Sequence, residues 1–208
     1  MLFRSRPLTL HGVVRALMFG AVLSLTGCGV NNIPTYEQDA KAKWSEVQNQ
    51  YKRRSDLIPS LVETVRGFAD QEKSVLTQVA EARSKAASVQ IPADIVTNPE
   101  AMKKFQDAQA TLGGALRQLL SVSERYPDIK SGTNFLQLQS QLEGTENRIA
   151  IARRDYIESV RVFNTEITTI PGRWWRSMMY SGSKEMATFD IPVEDTKVPK
   201  IDFGPKKN

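Results

Sequence analysis

The stretch "FLQLQSQLEGTENRIAIARRDYIESVRVFNTEI", residues 135–167, decides the fold. Phe135, Leu138, Leu142, Thr145, Ile149, Ala152, Tyr156, Val160, Phe163 and Ile167 follow one another at three- and four-residue steps, and one more step reaches Ile170. Such steps keep one stripe on one helix face, whereas a half-buried strand alternates every second residue. The spacing predicts one long helix, stopped by Pro171-Gly172.

The same spacing recurs upstream. Trp44, Val47, Tyr51, Arg54, Ile58, Leu61, Val65, Phe68, Glu72, Val75, Val79 and Ala82 form a second seam, apolar except at Arg54 and Glu72. Thr35 with Gln38 has the spacing of a capping box that would open this element. Pro59 lies inside it, and proline removes an amide donor and crowds the preceding turn, so a kink or break is expected near residues 56–59. Residues 88–99 lose the period and carry two prolines, as a linker does. Asn98-Pro99-Glu100 then supplies an N-cap, a proline at the first helical position and an early acid. Phe105, Ala108, Leu112, Leu116 and Leu119 form a third seam that ends at Tyr126-Pro127, with Gly113-Gly114 weakening it or admitting a close helix neighbour. A turn over residues 127–134 leads into the opening stretch. No strand-like alternation interrupts residues 35–170. The expected fold is all-α, a long antiparallel bundle of three helices, or four if the chain breaks at Pro59.

Ahead of the bundle, residues 1–27 carry Arg4, Arg6 and Arg15, no acid, and an apolar run from Ala16 to Leu25. This order is that of a secretory signal, and about ten apolar residues fall short of the ~20 needed to span a bilayer. The chain's one cysteine follows in Leu25-Thr26-Gly27-Cys28, which resembles the lipobox of bacterial lipoproteins. The resemblance implies cleavage before Cys28 and acyl chains such as palmitate on the new terminus; the alternative is an ordinary cleaved signal. Two or more chains anchor a protein stably without spanning. By the same resemblance, to lipoprotein sorting in two-membrane bacteria, Gly29 in place of aspartate implies the periplasmic side of the outer membrane where a cell has two membranes. The expected division is a signal peptide over 1–27, a tether over 28–34, a bundle over 35–170, and a short helix with an irregular, proline-containing tail over 171–208.

Charge and chemistry narrow the function. The whole chain has 28 basic and 23 acidic residues, but three of the arginines precede Cys28, which leaves 25 against 23. That balance gives no nucleic-acid footprint. The one histidine, His11, also lies before Cys28. The mature chain therefore lacks the residues for Ser–His–Asp or Cys–His catalysis and for His/Cys zinc sites. It has neither the P-loop nor the dinucleotide glycine pattern, and no cofactor is expected. Glu143/Glu146 and Asp155/Glu158 are spaced to share a helix face, as metal ligands or an acid/base pair would be; the plainer reading is a solvated face beside Arg148, Arg153 and Arg154. Trp174, Trp175, Met178 and Met179 form an apolar patch that either packs on the bundle end, the favoured expectation, or contacts lipid headgroups or a partner.

Two long segments carry a family resemblance. "QYKRRSDLIPSLVETVRG" (residues 50–67) and "ENRIAIARRDYIESVRVFNTEITTIP" (residues 146–171) resemble, in the expected order, the two conserved blocks of the LemA family of bacterial envelope proteins. The resemblance implies a LemA-like helical bundle attached to a membrane through its N-terminus, with no established enzymatic activity. Family members typically carry a hydrophobic N-terminal helix as anchor; here the lipobox stands in that place. The motif residues Arg53, Arg54, Asp56, Pro59, Glu146, Asn147, Arg153 and Asn164 are expected to be structural. Arg54 falls on the apolar seam, where an unpaired charge costs several kcal/mol. Either it bonds Glu146 or Asp155 of the third helix, or its long side chain carries the charge to solvent. Asn147 and Asn164 are expected to tie backbone groups. The expected function is a non-catalytic interaction scaffold, tethered at Cys28 to the extracytoplasmic face of a bacterial membrane and bound to an envelope protein. The alternative is an envelope enzyme or lipid-handling module using carboxylates, hydroxyls and the Trp174/Trp175 patch.

Overall fold

A computed structural model describes residues 29–67 and 72–189. The signal segment, Cys28, Phe68 and the tail from residue 190 onward lie outside the described residues. Six helices follow in order: α1 Asn32–Arg66, α2 Lys73–Ser88, α3 Pro99–Arg125, α4 Pro127–Lys130, α5 Thr133–Thr168 and α6 Gly172–Met179. No strand occurs among the described residues. The long helices α1, α2, α3 and α5 run up, down, up and down, an all-α antiparallel bundle. The 35-residue α1 and 36-residue α5 pair along most of their length. The shorter α2 and α3 form a second pair laid against one end.

Several local expectations are corrected. Helix α1 starts at Asn32, inside the expected tether, and Thr35 is no cap: its hydroxyl donates to the Asn31 carbonyl at 2.7 Å. The turn that starts the helix is set by Gly29, whose φ of +92° lies in the region that favours glycine. Helix α1 also runs through Pro59 without the break considered there and ends beside Gly67, so the seam from Trp44 to Ala82 divides between two helices at that point instead. A proline at 59 leaves the Ser55 carbonyl without its i+4 amide partner. Arg83 of α2 supplies one instead, its Nε donating to Ser55 O at 3.1 Å. The hairpin of α1 and α2 thus answers the defect that Pro59 creates.

The expected turn after Pro127 contains the short α4, which buries Ile129. The N-cap at Asn98 forms as the sequence indicates, accepting from the Ala101 amide at 3.1 Å. No helix packs on Gly113 or Gly114, whose missing Cβ atoms would meet only arginine tips. Helix α5 stops at Thr168, three residues ahead of Pro171, and Ile170 is exposed. Gly172 then starts α6 so close to α5 that a Cβ there would collide with the Glu166 carbonyl.

The buried residues fall into two apolar cores. One joins the first half of α1 to the second half of α5 around Trp44, Tyr156, Val160 and Phe163, and is closed by Ile95, Val96, Met186 and Phe189. The other joins the second half of α1 to α2, α3 and the start of α5 around Ile58, Leu61, Leu112 and Phe135. Side chains tie the early tail to the first core. Asn164 donates to the Met186 carbonyl and accepts from its amide, both at 2.9 Å. The Tyr156 hydroxyl donates to the Ala187 carbonyl at 2.8 Å. Phe189 packs edge-on to Tyr156 and under the Arg153 guanidinium, 4.6 Å from the ring centre.

Two predictions follow from these contacts. Pro59→Ala returns an amide to Ser55 and raises thermal stability, so Arg83→Met, which costs about 1 kcal/mol in the parent, costs close to nothing in the Pro59→Ala background. Urea titrations of the four proteins measure this; equal costs in both backgrounds refute the link. Burial pushes the Tyr156 hydroxyl above its usual value. The folded state therefore keeps a proton that the unfolded chain releases near pH ~10. This contribution is complete below that pH and is lost as pH climbs beyond it. Tyr156→Phe should lower stability by about 1 kcal/mol at neutral pH and flatten the alkaline decline. Thermal melts across pH 8–11 read both effects.

Candidate functional site

Between the two apolar cores lies a polar layer. Its centre is Arg54, 4% exposed, one turn after the buried Tyr51 and one turn before the buried Ile58. The position follows from the α1 seam: the helix turns every side chain at this register inward, whatever its polarity. The guanidinium forks. Nη1 donates to Glu146 Oε1 of α5 at 3.0 Å, and Nη2 donates to both the side-chain and backbone oxygens of Gln109 on α3, at 2.6 and 3.1 Å. It also lies 5.0 Å from the Tyr51 ring centre. Its Nε is buried without a hydrogen-bond partner. One side chain thus joins α1, α3 and α5.

Outside this fork, α3 and α5 stand apart and border a groove of about 560 Å³. Tyr51 and Arg54 belong to its lining; Lys103, Asp107, Arg117, Glu143 and Arg153 bring charge of both signs. Phe189 borders it. Burial raises the Tyr51 hydroxyl above its usual value, opposed by the nearby Arg153 and Arg54 charges.

The motif residues scatter around this layer. Of the two carboxylates considered for Arg54, Glu146 meets it, while Asp155 lies 3.6 Å from its neighbour Arg154. Arg53 and Pro59 are exposed, and Asp56 pairs with Lys52 at 3.0 Å. Asn147 is exposed, whereas Asn164 ties the tail backbone. Each of the paired carboxylates has a partner of its own. Glu143 accepts from Gln139, Glu146 from Arg54, and Glu158 from Arg161, whose guanidinium holds the Glu158 carboxyl below its usual range. Among the described residues no three His, Cys, Asp or Glu side chains converge as a metal site would require. Sequence reasoning missed Gln109. The signal was present, since Gln109 sits four residues after Phe105 and three before Leu112, a polar residue on an apolar seam like Arg54 itself.

The layer makes a measurable claim. Arg54→Met leaves the buried Gln109 side chain without its donor and should cost about 2–3 kcal/mol. Glu146→Gln should cost no more than about 1 kcal/mol, because that carboxylate is 47% exposed and screened. The double variant should recover about 1 kcal/mol relative to the sum. Urea denaturation reads all three, and strictly additive losses would leave Gln109 as the sole holder of Arg54.

Comparison with known proteins places this geometry. A model of the LemA family matches residues 43–203. Magnetosome protein MamQ 2 and Magnetosome protein MamQ 1 of Paramagnetospirillum magneticum are each 27% identical over 211 residues, covering 90% of this chain and 77% of theirs. Protein LemA of Metamycoplasma hominis is 26% identical over 125 residues, covering 60% of this chain and 53% of its own. The family match takes in both sequence blocks, the Arg54 fork and the docked start of the tail, and the chain belongs to the LemA family.

Proposed function

We propose that this protein is a lipid-anchored, non-catalytic helical scaffold of the bacterial envelope. In this reading Cys28 carries the acyl chains, the bundle stands on the extracytoplasmic face, and its sides dock an envelope protein. Where a cell has two membranes, the anchor is in the outer one. The observation that carries the reading is the position of Gly29, the residue after Cys28, at one extreme end of the α1–α5 pair. There Asn32 of α1 bonds Glu166 of α5 at 3.2 Å. At 1.5 Å per residue, helices of this length extend about 50 Å. A lipid at Cys28 thus holds one end of a rod whose other end stands well clear of the headgroups. Tethering raises the effective concentration of such a surface towards membrane partners.

The chemistry of the groove agrees with binding. Its carboxylate Glu146 accepts from Arg54 and so belongs to the fork, while Glu143 accepts from Gln139 on the exposed face of α5. Ile151, half exposed on α5, gives the flank an apolar contact point clear of the bundle core.

Two measurements test the reading. Labelled palmitate should enter the parent protein and not Cys28→Ser, which should retain residues 1–27 by mass; a membrane-bound Cys28→Ser of normal mature mass refutes the anchor. A photocrosslinking residue at Ile151 should capture one reproducible envelope protein in living cells. A diffuse ladder with no repeated partner refutes the scaffold.

A further inference from the structure

The expected packing of the Trp/Met patch holds only for Trp175, which lies partly buried against the first core. Trp174, Met178 and Met179 are 59%, 69% and 61% exposed, and the neighbouring Ile170 is 63% exposed. Trp174 and Met178 are one turn apart on α6, away from the buried Gly172. Three large apolar side chains left in water on an eight-residue helix, with Ile170 exposed just before it, call for a covering surface.

Three observations identify that surface. Helix α6 packs across both α5 and α1, at the end of the rod where α1 begins. Glu166 marks the place: its side chain accepts from Asn32, three residues past Gly29, and its backbone lies against Gly172 at the start of α6. Gly29, the residue after Cys28, therefore lies beside the start of α6, both being close to the Glu166 side chain. Second, the sequence of α6, GRWWRSMM, has two arginines and no acid, a charge that suits anionic headgroups. Third, tryptophan and methionine beside arginine is the composition of a helix lying in the membrane interface, its apolar side at the headgroup–acyl boundary.

We infer that α6 is an interfacial foot: Ile170, Trp174, Met178 and Met179 insert at the surface of an anionic bilayer, with Arg173 at the phosphates. The inference deepens the scaffold reading and rests on its membrane anchor. The foot fixes the orientation of the rod, since a lipid on a short tether alone would leave it free to swing. Arg176 has a structural part, its Nε donating to the Ser183 carbonyl at 3.0 Å to hold α6 against the tail.

The test uses the mature lipidated protein with Trp175→Phe, which leaves two of the three tryptophans. Trp44, buried in the core, is the internal reference and Trp174 the reporter. The protein is reconstituted in phosphatidylcholine–phosphatidylglycerol vesicles that carry lipid-borne quenchers at several depths. The foot predicts that the exposed-tryptophan emission shifts to the blue and falls roughly twofold or more, most strongly with quenchers some 5–10 Å below the headgroup boundary. Replacing Trp174 by Phe as well should remove that quenching and leave the Trp44 emission unchanged. Protein that floats with vesicles while Trp174 stays unquenched overturns the foot and keeps the anchor. Protein that fails to float refutes the anchor and with it the foot. A blue shift of Trp174 before vesicles are added, accompanied by a sedimenting dimer, assigns the patch to a second copy and overturns the inference.

Discussion

Everything in this bundle is arranged around one charge in the wrong place. Helical periodicity puts position 54 on the inner face of α1, and the residue there is arginine. Taking a guanidinium out of water costs several kcal/mol unless every available donor finds an acceptor in good geometry. The structure meets most of that demand by drawing Glu146 from α5 and Gln109 from α3 to one point, with Nε alone left without an acceptor. The two apolar cores end on either side of it. A hydrophobic residue at 54 would have allowed one continuous core and several sliding registers. The fork permits one register, because a shift of one turn would bury a bare charge. A single buried polar residue is known to fix helix register in this way in coiled coils.

The second organising fact is that the ends of the rod differ. At one end short α4, through its buried Ile129, closes the second core. At the other, α1 begins, α5 stops, α6 crosses beneath them and the tail folds back along α5. Asn164 and Tyr156 supply the bonds that keep the tail there, side chains from one helix taking the place of a neighbouring strand. The family match extends beyond α5 into this tail, in keeping with its role in completing the first core. An asymmetric rod of this kind has a natural direction, from the chain segment near Cys28 outward.

Much of this was legible in the sequence because the helical stripe is a local signal. The seams through Tyr156 and Leu112, the N-cap at Asn98 and a partner for Arg54 on the third helix all follow from spacing and the cost of burying charge. Three features were not legible, each for a physical reason. The helix survives Pro59 because Arg83, distant in sequence, bonds the orphaned Ser55 carbonyl; no local rule can foresee a tertiary donor. Ile170 continues the periodic stripe yet faces water, since α5 stops at Thr168 and the stripe outlives the helix. Trp174 and Met178 look like core by composition, but the close seat of Gly172 on Glu166 fixes α6 with that face outward. For the site, Arg54 was visible as a charge on a seam, with Glu146 or Asp155 as its partner or solvent as its outlet, and the structure selects Glu146, while Gln109 lay hidden beside the more conspicuous Ala108.

The Arg54 fork joins α3, and through it the α2–α3 pair, to the α1–α5 pair. Hydrogen exchange of the parent and of Arg54→Lys tests that claim most directly, since lysine keeps the charge and loses the planar fork. Amides of α3 around Gln109, with those of α2, should exchange about tenfold faster or more in the variant, a difference of about 1.4 kcal/mol, while the paired centres of α1 and α5 keep their protection. Equal protection throughout, or a uniform loss across all four long helices, would contradict it.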